Sequence, residues 1–277
     1  MKFKILPQWQ FGLLLLTFIV AFFPVLSKLV ALWFHEADYS HGFMVIPVVI
    51  FLIWQKKNEL HGDLKKTGHS GIFAVFVAII SIFVGEISGF RMLEYIAFIL
   101  LIWASVLYLY GFDVLKKIIW ELVFLFFMIP IPSSVYARIT LPLQIITTKL
   151  TAHVLTFFKI PVFREGNVIQ LMNTTLEVVN ACSGLRSLLS VLALAYIIGI
   201  LSFKKIGMRL VMLLAGVIIA VVVNVFRVST IAVSSHYGYS ELSNGLPHEL
   251  LGLFLFCFSF FAIFTMEKVL NWVFPEK

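Results

Sequence analysis

Apolar runs long enough to cross a bilayer recur along the chain, near 11–34, 43–55, 72–90, 92–110, 114–130, 183–202, 208–226 and 249–267. A spanning helix needs about 20 residues, roughly 17–25. The 43–55 run is short and must borrow from its flanks, and Pro130 and Pro132 end the fifth run. The pattern predicts an all-α polytopic membrane protein of about eight transmembrane helices, organised as one integral membrane domain over 1–277. The first run is preceded by Lys2 and Lys4, as in a signal peptide. It runs too long for the apolar core of one and lacks a small-x-small cleavage site, so it reads as a retained first helix.

The segment 131–182 departs from this alternation. Residues 139–158 are apolar at near-helical spacing, with Lys149 and His153 among them. This predicts an amphipathic helix lying in the membrane interface. Val168, Ile169, Leu171, Leu176, Val178 and Val179 favour strands, and Asn173-Thr174 suits a turn. A small β-hairpin outside the bilayer follows, because an open sheet edge cannot sit in lipid.

Composition strengthens the membrane reading. Hydrophobic residues make up 61% of the chain and charged ones 13%, about half the usual charged share of a soluble domain. The net charge of +7 comes from short clusters between apolar runs, with no basic run interleaved with exposed aromatics, which argues against a nucleic-acid partner. Paired lysines (Lys56-Lys57, Lys65-Lys66, Lys116-Lys117, Lys204-Lys205) fall in alternate short loops, while Lys28, Arg91, Arg138, Arg164, Arg186 and Arg227 fall on the other side. The positive-inside rule then predicts both termini in the cytoplasm and 131–182 outside.

Three polar segments meet the predicted outer face: Asn180-Ala181-Cys182-Ser183-Gly184-Leu185-Arg186, Asn224-Val225-Phe226-Arg227-Val228-Ser229 and Leu246-Pro247-His248-Glu249-Leu250-Leu251-Gly252. They open the sixth helix, end the seventh and open the eighth. Topology alone therefore brings a thiol, a guanidinium and an imidazole to one membrane depth; spacing does not say whether they are lateral neighbours. At a helix start, with Arg186 one turn on, Cys182 is placed to form a thiolate. His248 can carry its proton, and Arg227 can donate to an oxyanion or a carboxylate. Taken singly, each has a structural reading: Cys182 as packing, Arg227 snorkelling to headgroups, Arg186 paired with Glu177, His248 as part of a helix start. Cys257 reads as inert. His35, Glu36, Asp38 and His41 have metal-ligand types without a metal-site spacing, so no metal or cofactor is expected. Glu86 and Glu94 read as solvated, Glu121 as paired with Lys117 at i,i+4, and His236 as a loop residue.

The same three segments resemble the exosortase/archaeosortase family of membrane transpeptidases, bacterial branch. The resemblance extends to Ser40-His41-Gly42, Phe127-Met128-Ile129-Pro130-Ile131-Pro132, Leu141-Pro142-Leu143-Gln144 and Leu176-Glu177-Val178. It implies a cysteine transpeptidase or protease acting on exported proteins with a C-terminal sorting signal. That signal is a short motif centred on Pro-Glu-Pro, a transmembrane helix and a basic tail, and the new C-terminus passes to an acceptor nucleophile. Cys182 would be the nucleophile, with Arg227 and His248 completing the catalytic set. Arg186, Asn224, Ser183, Glu249 and His41 would bind substrate or support them. The competing readings are a transporter whose polar path is lined by Arg227 and His248, and a non-catalytic assembly factor for envelope polysaccharide export.

Overall fold

A computed structural model describes residues 22–60, 69–172, 174–178, 184–243 and 245–275. Its contacts divide the chain into two units at Pro130 and Ile131. The first unit contains α1 (Phe23–His35), α2 (Gly42–Gln55), a single helical turn at Lys57–Leu60, α3 (His69–Ser88) and α4 (Arg91–Val123), and it closes on a 3₁₀ segment, Phe124–Met128. The runs predicted at 92–110 and 114–130 are two helices within the continuous stretch α4, joined directly at a kink. They are separated only by Gly111, whose φ of 84° and ψ of 176° are open to glycine and strained for any other residue.

Ion pairs that each include a buried carboxylate, Glu94 at one end and Glu121 at the other, mark both ends of this unit. Lys28 reaches Glu86 at 2.5 Å and Glu94 at 3.0 Å, and Glu94 is only 1% exposed. Glu86 and Glu94 are therefore partners of a lysine on α1. At the other end Glu121, fully buried, pairs with Lys56 at 2.7 Å. Lys117 instead donates to the Glu59 carbonyl at 2.9 Å. The i,i+4 spacing pointed to the wrong lysine because the helix end packs against the turn after α2.

The second unit contains α5 (Ser133–Phe157), strands β1 (Val162–Glu165), β2 (Val168–Leu171) and β3 (Thr175–Glu177), then α6 (Gly184–Ser202), α7 (Ile206–His236) and α8 (Gly245–Val273). The expected hairpin is two strands of a three-stranded antiparallel sheet in the order β1-β2-β3, with Glu165 opposite Val168 and Ile169 opposite Leu176. The missed first turn is Gly166-Asn167. Only Gly166 has a positive φ (60°), the type II′ pattern that matches strand twist. Ile169, Leu171 and Leu176 point inward and pack on Leu155 of α5 and on Val228, Ile231 and Ala232 of α7.

The helix expected at 139–158 is present and longer. Its buried face carries Thr140, Thr147, Thr148, Thr151 and Leu155. Its outward face carries Ile139, Leu141, Ile145, Ile146 and Leu150, with Arg138, Lys149 and His153 also exposed. Thr140 and Thr148 turn their hydroxyls back to the carbonyls of Tyr136 and Gln144 at 2.9 and 2.8 Å, which is how a polar side chain is kept satisfied away from water. Apolar-out packing suits lipid as the solvent.

Among the described residues, four stretches are long and apolar enough to cross a membrane: Gly71–Ser88, Arg91–Met128 with its kink at Gly111, Ile206–His236 and Gly245–Val273. Phe23–His35, Gly42–Gln55 and Leu188–Ser202 are apolar but shorter. This is a mostly helical, multi-pass membrane protein with a small sheet. The early part of the first predicted run, up to residue 21, lies outside the described residues.

Candidate active site

The site is built where α7 and α8 cross. The hydrophobic pattern stops at 226 and predicts that Arg227 ends its helix. Instead α7 continues to His236, so Arg227 lies within a helix and His236 closes it. Nine further residues are helical because Val228, Ile231 and Ala232 are covered by the sheet. On α8, His248 sits in the first turn, where Pro247 has no intrahelical hydrogen bond to lose.

Arg227 Nη2 lies 2.8 Å from His248 Nε2. His248 Nδ1 lies 3.0 Å from the Leu242 carbonyl. A guanidinium only donates and a carbonyl only accepts. The imidazole therefore carries its proton on Nδ1, given to Leu242, and accepts from Arg227 at Nε2. The two residues that shared only a depth in the sequence are in direct contact.

Gly252, one turn below His248 on the same face of α8, makes room for this contact. A Cβ there would lie 3.4 Å from Arg227 Nη2 and 3.7 Å from Cζ. Asn224, one turn before Arg227, donates from Nδ2 to Thr147 Oγ1 of α5 at 3.4 Å. Asn224, Arg227, Gly252 and Ser259, with Val191 of α6, line a cavity of ≈ 20 Å³. Asn224 Oδ1 and Arg227 Nε are both buried there with no hydrogen-bond partner.

The remaining candidates are placed as follows. Cys182 and Ser183 lie outside the described residues, and Arg186 falls in the first turn of α6, its side chain likewise outside them. α6 packs along both α7 and α8. Glu249 is exposed, next to His248. Cys257 is exposed on α8 among outward phenylalanines, away from the cavity face. His41 belongs to the first unit. Its Nε2 donates to the Phe127 carbonyl at 3.0 Å, beside a Trp33 Nε1 bond to the Met128 carbonyl at 3.0 Å. Two of the motifs noted in the sequence, Ser40-His41-Gly42 and Phe127-Met128, are thus one structural clamp. Burial lowers the His41 pKa below the usual imidazole value, against the opposing pull of the Phe127 carbonyl. Among the described residues, no three His, Cys, Asp or Glu side chains form a group that could hold a metal ion.

The Leu242 carbonyl, Gly252 and Thr147 were missed as site components. The i,i+4 spacing of His248 and Gly252 was a readable signal; the other two depend on tertiary contacts.

Fold and site together define a polytopic membrane protein with an arginine–histidine pair held between two long apolar helices. A family model described as transmembrane exosortase matches residues 33–265, and the chain belongs to that family. No curated protein and no solved structure matches it.

Proposed function

We propose that this protein is a membrane cysteine transpeptidase or peptidase that cuts the C-terminal, PEP-CTERM-type sorting signal of exported proteins. It would sit in the cell inner membrane with both termini inside, spanning it about eight times, and act at the outer face. The observation that carries this reading is the Arg227–His248 contact, whose imidazole proton is fixed on Nδ1 by Leu242. That arrangement leaves Nε2 as the one nitrogen able to take a proton.

Cys182 is the nucleophile. In the structure described, Arg227 Nη2 occupies the Nε2 lone pair. The substrate carbonyl draws the guanidinium toward itself, and Nε2 then takes the thiol proton. The thiolate attacks the carbonyl carbon, and Arg227 stabilises the oxyanion, the kind of donor commonly worth about 10²–10³ in rate. The intermediate collapses to a thioester as the amine leaves with the proton from Nε2. An acceptor nucleophile, or water, then attacks the thioester and returns the thiol. A substrate anchored by its own transmembrane helix reaches the site laterally, with its basic tail inside.

The test is mass spectrometry of a co-expressed tailed substrate. Cleavage is expected with the wild type and absent with Cys182→Ala and Cys182→Ser, both of which still insert. Undiminished cleavage by Cys182→Ala would exclude the thiol as nucleophile.

A further inference from the structure

The small cavity beneath Arg227 combines two facts that need a common explanation. Asn224 Oδ1, an acceptor, and Arg227 Nε, a donor, are both buried without partners, and both residues line it. Leaving a buried donor on a charged group unmade is costly. The space is ≈ 20 Å³, enough to hold an ordered water. A third polar residue, Ser259, also lines it. Its hydroxyl donates to the Leu255 carbonyl at 2.9 Å and so keeps lone pairs to accept with.

We propose that this cavity is a single-water site, and that through it Asn224 is a positioning residue for Arg227. The water accepts from Arg227 Nε–H and donates to Asn224 Oδ1 and Ser259 Oγ. Three polar partners is the usual number for a buried water. With Nδ2 given to Thr147, Oδ1 is the acceptor the amide has left, able to receive one of the water's protons. The water fixes the root of the guanidinium at Nε while Nη2 stays able to move between His248 and substrate. This gives the Asn224-x-x-Arg227 spacing a physical reason: one helical turn brings the amide level with the guanidinium root.

The kinetic consequence rests on the proposed function; the water site does not. The test uses ¹⁵N-arginine-labelled full-length protein in detergent micelles. The Arg227 Nε–Hε signal is assigned by its loss in Arg227→Lys. A cross-peak between Hε and a long-lived water is expected in the wild type and in Asn224→Asp, and is lost in Asn224→Leu. Ser259→Val, which fills the cavity and leaves Asn224 intact, should also remove it. A wild type without the cross-peak, or a cross-peak surviving both apolar variants, overturns the water site. In processing assays Asn224→Leu and Ser259→Val should lower kcat about 10-fold at unchanged KM, the size of one lost bond to a charged group. A lost cross-peak with unchanged kcat overturns the positioning role. A wild type that processes no tailed substrate counts against the transpeptidase reading alone, and the cross-peak still decides the water.

Discussion

At the scale of single residues, the site depends on how much room α8 leaves for a guanidinium. Gly252 gives a graded test. A methyl there makes ordinary contact with Nη2 at 3.4 Å, so Gly252→Ala should process substrate near the wild-type rate. Gly252→Leu drives the guanidinium off His248 and should cut processing by about 10- to 100-fold, the range for a charge-assisted hydrogen bond. Substrate cleavage rates in membranes of equal protein content check both; a Leu variant at wild-type rate would remove the contact from the mechanism. Arg227→Lys keeps the charge and loses the fork that serves Nε and Nη2 together, so it should also fail to restore cleavage. The sequence placed Arg227 and His248 at one depth because each borders an apolar run. Their 2.8 Å contact was not legible, because lateral proximity depends on how α7 and α8 cross. Thr147 was hidden for a similar reason: it comes from a helix 77 positions away whose buried face is polar.

At the scale of elements, periodicity found most helices but did not say which face points inward. For α5 the repeat predicts an amphipathic helix at the membrane interface, and the structure adds that its threonines are inside and its aliphatic residues outside. A 3.6-residue period is the same in water and in lipid, and only the solvent decides its sense. The clamp from α1 and α2 onto Phe127 and Met128 is another element-level feature, and it titrates. His41 is buried and holds its proton less readily than in the unfolded chain. Unfolding therefore takes up a proton as the pH drops below the ordinary histidine value of about 6.5. The stabilising contribution is complete above that pH and is lost as the pH falls toward the native value. Thermal unfolding in detergent should show a midpoint that falls between pH 7.5 and 5. In His41→Gln, which still donates to the Phe127 carbonyl but does not titrate, that fall should be smaller. Equal slopes in both proteins would assign the acid sensitivity elsewhere.

At the scale of the whole molecule, the remaining question is which way the second unit faces. α7 begins at Ile206, just after Lys204-Lys205, and the sheet packs on it at Val228 to Ala232. At ~1.5 Å per residue these positions are about 33 Å apart, close to the thickness of a bilayer's hydrocarbon core. One end of α7 is thus marked by paired lysines and the other by a sheet that needs water at its edges. Arg227 and His248 lie at the sheet end, so the membrane side of the sheet is the side of the proposed chemistry. On the positive-inside rule the lysines are expected in the cytoplasm. With Cys182 and Cys257 replaced by alanine, Glu165→Cys on β1 should react with a membrane-impermeant maleimide in intact cells. Lys204→Cys should react only after permeabilisation. The reverse pattern would put the arginine–histidine pair in the cytoplasm, where a substrate with its basic tail inside and its cleavage motif outside could not reach it. The labelling pattern therefore tests the orientation on which the proposed reaction depends, before any substrate is known.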